Sequence, residues 1–168
     1  ARLWVELGVQ TSHDGTLRRV RRGHGWKESR SAVRELHMRG IRVMAHVIVG
    51  LPGEGPSHFR RTAAALAGLP VDAVKIHNLH VVRGTELAAE YAGAPFPVYD
   101  EREYAELLID FLRRLPPGMA IARINTDTPE EDLVAPRWEM TKSEFREYVV
   151  GEMKKRGISQ GDLYNDRG

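Results

Sequence analysis

His46-Val-Ile-Val-Gly-Leu-Pro-Gly-Glu54 decides how this chain is read. Val47, Ile48 and Val49 form an apolar, β-branched run after His46. That run reads as a buried strand ending at Gly50. Leu51-Pro52-Gly53 then turns the chain toward a helix, Pro56 to Ala67. A strand-to-helix corner of this kind is where parallel α/β sheets hold ligands.

The neighbours extend the pattern. Residues 2–9 carry Trp4, Val5 and Leu7 in weak alternation and predict a strand. Lys27 to Arg39 has Val33 and Leu36 at helical spacing and stops at Gly40, a natural C-cap. Ile41 to Val49 is the second strand and Val74 to Val82 the third. Strands joined by helices connect in parallel with a right-handed crossover. The expectation is therefore βαβαβ over residues 2 to 82, within a half-barrel of three βα units spanning 1–92. Thr11 to Trp26 reads as turns with a basic cluster, Arg18, Arg19, Arg21 and Arg22.

Beyond Gly84 the pattern becomes mainly helical, and residues 93–168 read as a C-terminal extension packed on the half-barrel. Thr85 to Tyr91 is a short helix. Asp100 to Leu115 is amphipathic, with Tyr104, Leu107, Leu108, Phe111 and Leu112 on one face. Met119 to Asn125 suggests a further strand, and Thr126 to Pro136 a polar loop. Thr141 with Glu144 forms a capping box for a helix to Arg156. The tail Gln160 to Gly168 reads as loose.

Composition bounds the function. The 168 residues hold 42% hydrophobic and 29% charged side chains, as in a globular protein. A net charge of +2 does not by itself demand a nucleic-acid partner. There are no cysteines, which removes disulfides and thiolate ligands from this chain. No apolar run approaches the roughly 20 residues of a membrane span, and Glu6 interrupts the first apolar stretch, so neither membrane nor signal peptide is expected. The expected location is cytoplasmic. The chain opens inside a strand without Met, which predicts a piece of a longer protein. Three open strands also leave sticky edges, so either further sequence or a second copy should pair with them.

Several common chemistries fail on spacing. Gly50-Leu-Pro-Gly53 lacks the Gly-Lys-Ser/Thr of a phosphate loop, and no GxGxxG follows a strand. No G-x-S-x-G nucleophile elbow occurs. Glu130 and Glu131 sit in a polar, solvated segment. His46, His77 and His80 would need a carboxylate at ligand spacing to suggest a metal site, and none is present.

The ordered set Glu6-Leu-Gly-Val-Gln10-Thr11, Arg22-Gly23-His24, Ile48-Val-Gly50-Leu-Pro-Gly-Glu54 and Gly84-Thr85-Glu-Leu87 resembles radical S-adenosylmethionine (SAM) proteins. Lys75-Ile-His-Asn-Leu-His-Val-Val-Arg-Gly-Thr85, Leu133-Val-Ala-Pro136 and Gln160-Gly161 make it most similar to the YhcC-like group. That group is akin to the tRNA-modifying and coproporphyrinogen-oxidising branches. The resemblance covers nearly the whole chain. It implies the second half of a partial (β/α)6 barrel of TIM type. It also implies a parent enzyme in which a 4Fe-4S cluster on a CxxxCxxC loop cleaves SAM reductively, and the 5′-deoxyadenosyl radical takes a substrate hydrogen. Neither that loop nor the glycine-rich methionine motif is in this sequence, so the fragment alone is expected to be inactive. The missing N-terminal half of the barrel is its implied partner.

The resemblance carries over cofactor-binding roles and no catalytic residue. Gln10 matches the glutamine facing the cofactor. Glu6 shares its face if positions 6, 8 and 10 alternate. Arg22, twelve residues on, matches the arginine that pairs with the SAM carboxylate, a contact arginine makes bidentately. Ile48 matches the apolar residue against adenine. His46 stands where many relatives carry a ribose-binding acid. Asn78 and His80 share a face of the third strand, with His80 near the adenine position. From the residues alone, other readings stay open. Glu6 serves equally as a paired structural carboxylate, Gln10 as a strand-end cap and Arg22 as part of a solvated run. Each histidine also reads as a buried, hydrogen-bonded side chain. Arg18 to Lys27, with Trp26, also fits an RNA-binding module, and the open edges fit a dimerising one.

Overall fold

The computed structural model describes residues 3–165. Four parallel strands form the sheet in the order β1-β2-β3-β5. They are β1 (Trp4–Gln10), β2 (Arg42–Val49), β3 (Ala73–Asn78) and β5 (Ala120–Arg123). Between them run α1 (Asp14–Arg19), α2 (Trp26–Met38), α3 (Pro56–Ala67), α4 (Glu86–Gly93) and α5 (Glu101–Leu112). The chain ends with α6 (Lys142–Lys155). A second, two-stranded antiparallel sheet joins β4 (Val81–Val82) to β6 (Leu133–Ala135).

The pleat divides β2 cleanly. Val43, Ala45, Val47 and Val49 are buried, and Arg42, Met44, His46 and Ile48 are only partly so. With Val9, Val74 and Ile76, the buried set meets Phe59, Ala63 and Leu66 of α3 and Leu108 and Phe111 of α5 in one core. Burying each large apolar side chain contributes roughly 1.5–3 kcal/mol. Parallel strands are usually covered on both faces. Here only one face carries helices, and the other presents polar side chains.

Several expectations need correction. The sheet has four strands: the three of the βαβαβ unit and β5, which falls within the further strand suggested over Met119 to Asn125. β5, from the segment assigned to the extension, pairs in parallel with β3, so sheet and core run across residue 92. The expected third strand, Val74–Val82, is two. Leu79 still donates to Val49 O at 2.9 Å, but the chain then leaves the sheet and β4 pairs with β6. Thr126–Pro136 is therefore more than loop. The turn region before Trp26 contains α1, a six-residue helix that the arginine cluster masked. The tail is not loose through Tyr164. Gly161 N bonds Leu112 O, Leu163 N bonds Arg113 O, and Gln160 Nε2 donates to Pro116 O and Met119 O, both at 2.8 Å. Residue 2 of the first expected strand and 166–168 of the tail lie outside the described residues.

Candidate functional site

The site lies at the C-terminal ends of β1 and β2. At the end of β1 the pairing slips between Gly8 and Gln10, and Gln10 takes a left-handed backbone, φ 66°. The simple alternation expected of positions 6, 8 and 10 is thus interrupted by a bulge. The Gln10 amide nevertheless returns to the side of Gly8. A Cβ on Gly8 would lie 2.8 Å from Gln10 Nε2 and 2.7 Å from Arg22 Nη2, so only glycine lets both side chains approach. Arg22 Nη2 donates to Gly8 O at 2.6 Å, while its buried Nε has no partner among the described residues.

At the end of β2, Gly50 has φ 99°, a conformation that side chains resist. Glu54 N closes the turn on Leu51 O at 2.9 Å. Thr11 Oγ1 donates to Glu54 Oε1 at 2.7 Å, tying the end of β1 to this corner. Gln10, Arg22, Ile48, Leu51, Pro52 and Leu79 line one cleft of about 580 Å³. Its rim is braced by α4, where Glu90 pairs with Arg19 and Glu86 with Arg21 at 2.6 Å. Most of the basic cluster is therefore engaged within the fold.

Of the seven expected site residues, Gln10, Arg22 and Ile48 share that cleft. Glu6 and His46 meet each other on the polar sheet face instead. His46 Nε2 lies 2.8 Å from Glu6 Oε2, and Lys75 Nζ donates to Glu6 Oε1 at 2.6 Å. Lys75 first and His46 after it hold the Glu6 carboxyl below its ordinary range. Asn78 and His80 form a third group. Asn78 Nδ2 is 2.8 Å from His80 Nε2, Asn78 Oδ1 accepts from Thr126 N at 2.8 Å, and His80 Nδ1 is 2.8 Å from Thr128 Oγ1. Asn78 is buried in register with Val49, and β3 ends there, so the two do not share a strand face. They brace the segment after β5. Burial pushes the His80 imidazole pKa down.

Lys75 and Arg123 had no expected role, and His77 was expected only as a buried, hydrogen-bonded side chain, whereas its buried Nε2 has no partner among the described residues. His77 pairs in register with Ile48, and Lys75 with both His46 and Arg123. Matching parity along β1, β2 and β3 would have found Lys75 and His77. Arg123 needed the order of the sheet.

Two fits can be tested. The cleft combines apolar walls, an amide and an arginine that spends only one N–H, on Gly8 O, with Glu86 and Glu90 at its rim tied to Arg21 and Arg19; that set suits an adenosine carrying an amino-acid carboxylate. A cysteine-ligated cluster does not fit, because the chain has no cysteine. Among the described residues no three His, Asp or Glu side chains are grouped to hold a metal. His46 and His77 lie ring to ring at 5.7 Å.

A four-stranded parallel sheet covered by helices on one face, with a cleft at its strand C-termini, defines an α/β protein with a candidate ligand cleft. Comparison with known proteins gives the family. The Radical SAM superfamily model matches residues 2–66 and the Radical_SAM C-terminal domain model residues 71–155, so the chain belongs to the radical SAM superfamily. It is 40% identical over 160 residues to protein MJ0486 of Methanocaldococcus jannaschii, covering 95% of this chain and 50% of that one. It is 34% identical over 136 residues to protein YhcC of Escherichia coli K12, covering 81% and 44%. The solved structure of archaeal Methanocaldococcus infernus Elp3, lacking its N-terminus, superposes with a TM-score of 0.83 at 27% identity, over 94% of this chain and 37% of that one. The chain thus spans half or less of these proteins. No helix among the described residues is long and apolar enough to cross a membrane.

Proposed function

We propose that this chain supplies the adenosine-side wall of a radical SAM centre whose cluster ligands reside in other sequence. The observation that carries this is the convergence of Gln10, Arg22 and Ile48 on one cleft. In this reading Arg22 takes the SAM carboxylate through the guanidinium N–H groups that Gly8 O does not use, Ile48 and Leu79 enclose the adenine, and Gln10 orients the cofactor by hydrogen bonding. SAM, when bound beside a reduced cluster, supplies the adenosyl group that removes a substrate hydrogen. Alone, the chain binds without turning over. His46 does not serve as a ribose ligand while Glu6 holds it.

The test is an NMR titration of the 168-residue chain with SAM. Resonances of Gln10, Arg22 and Ile48 should move together and saturate. Arg22→Gln should weaken binding about tenfold, the worth of a charge-assisted hydrogen bond. A folded chain whose cleft resonances ignore SAM would overturn the reading.

A further inference from the structure

The polar face of the sheet holds a second set of groups that the cleft does not use. β1 contributes Glu6, β2 His46, β3 Lys75 and His77, and β5 Arg123. Lys75 and Arg123 are neighbours by register, and His77 neighbours Ile48, which lines the cleft. The set therefore sits directly beside the place where the cofactor is read.

Its chemistry is unbalanced. Glu6 is committed to Lys75 and His46. Arg123 is exposed and makes no hydrogen bond or ion pair among the described residues. Asp127, an acid that feels Arg123 and His80, is itself paired with Lys142 at 2.6 Å. His77 Nε2 is buried without a partner. Burial first, then Arg123, His46, Lys75 and His80, push the His77 pKa down to about 4, so the ring is neutral near pH 7 and keeps one N–H to donate. Two fixed cations, one carboxylate and an unspent imidazole leave a face that attracts negative charge. Arginine and lysine on adjacent strands are matched to the oxygens of a carboxylate or phosphate.

We propose that this face is an oxyanion site, and that the substrate handled beside the cleft carries a carboxylate or phosphate group held by Arg123, Lys75 and His77. The oxyanion replaces the missing partner of His77 and neutralises Arg123. The placement of a substrate here rests on the SAM reading above; the anion site itself stands on the side chains alone.

Imidazole resonances of the 168-residue chain should be followed in separate titrations with inorganic phosphate and with acetate. The expected result is a saturable movement of His77, with its titration midpoint moving upward, and no matching change at exposed His37. Response to phosphate alone assigns a phosphate-bearing substrate, response to acetate alone a carboxylate, and response to both a general oxyanion site. Arg123→Gln should weaken the response about tenfold while SAM still moves Gln10 and Arg22. If neither anion moves His77 beyond His37, or if Arg123→Gln binds as well as the parent chain, the proposal is overturned. Loss of the SAM response with the anion response intact would instead sink only the SAM reading.

Discussion

His77 shows how one side chain reports its surroundings. Its pKa is pushed down to about 4, from an ordinary 6.5, because burial and neighbouring cations disfavour the imidazolium. Between those values the unfolded chain binds the proton and the folded chain does not. Stability therefore rises with pH across that window and is lost as pH falls through it. His80, also pushed down by burial, acts in the same direction. The depressed carboxyls of Glu6 and Asp110 act lower, mainly below the ordinary carboxyl range. Urea midpoints at pH 7 and pH 5 should thus differ, and His77→Phe should shrink the difference. An unchanged pH dependence in that variant would show that His77 is not held neutral by the fold.

At the scale of elements, β5 is placed by α5. Asp100 caps α5 by accepting from Arg102 N and Glu103 N, both at 2.8 Å. The helix then buries Tyr104, whose hydroxyl donates to Ile124 O at 2.6 Å just past β5. Trp138 and Phe145 pack on the same ring at 5.3 and 5.6 Å, joining α6 to this point. Burial pushes the Tyr104 pKa upward, so it remains a donor throughout the usual pH range. Tyr104→Phe keeps the ring and strands the carbonyl, and should cost about 1–3 kcal/mol in chemical denaturation. A change within error would mean that water or a rearranged loop satisfies Ile124 O.

The same elements show what the sequence made legible. β2 declared itself by β-branched residues and Gly50, α5 by its apolar face, and α6 by Thr141 and Glu144, whose capping hydrogen bonds form as expected. Those signals are local. α1 is only six residues long with one buried side chain, Leu17, too little for periodicity to register. The strand suggested over Met119 to Asn125 forms as β5, four residues and largely exposed, but its parallel place beside β3 follows from the edge that β3 offers. β4 and β6 stabilise each other across fifty residues of chain. In the site, Gln10, Arg22 and Ile48 were named from a resemblance, and the cleft joins them. The Glu6–His46 and Asn78–His80 pairs depend on register and on where β3 stops, which no single segment encodes.

At the scale of the whole molecule, the sheet is paired on its inside strands and, among the described residues, open at both ends. β1 has β2 on one side and no strand among the described residues on the other. It carries exposed Trp4, lying under Arg42 at 5.3 Å, and follows exposed Leu3. Natural edge strands are usually blunted by charge, proline or cover. This one has Glu6 alone, and Glu6 is turned toward Lys75 and His46. Its edge is therefore open to another strand, and we propose that other sequence of a longer protein or a second copy supplies it. In isolated chain only the second copy is available. Sedimentation velocity should show mass rising with protein concentration, and Trp4→Glu should hold the chain closer to monomer by placing a charge on the apolar edge. Because Trp4 lies outside the core, its replacement should leave the urea midpoint nearly unchanged, separating lost association from lost folding. A chain that stays monomeric at every concentration would mean that the edge, though apolar, is too short or too twisted to recruit a partner by itself.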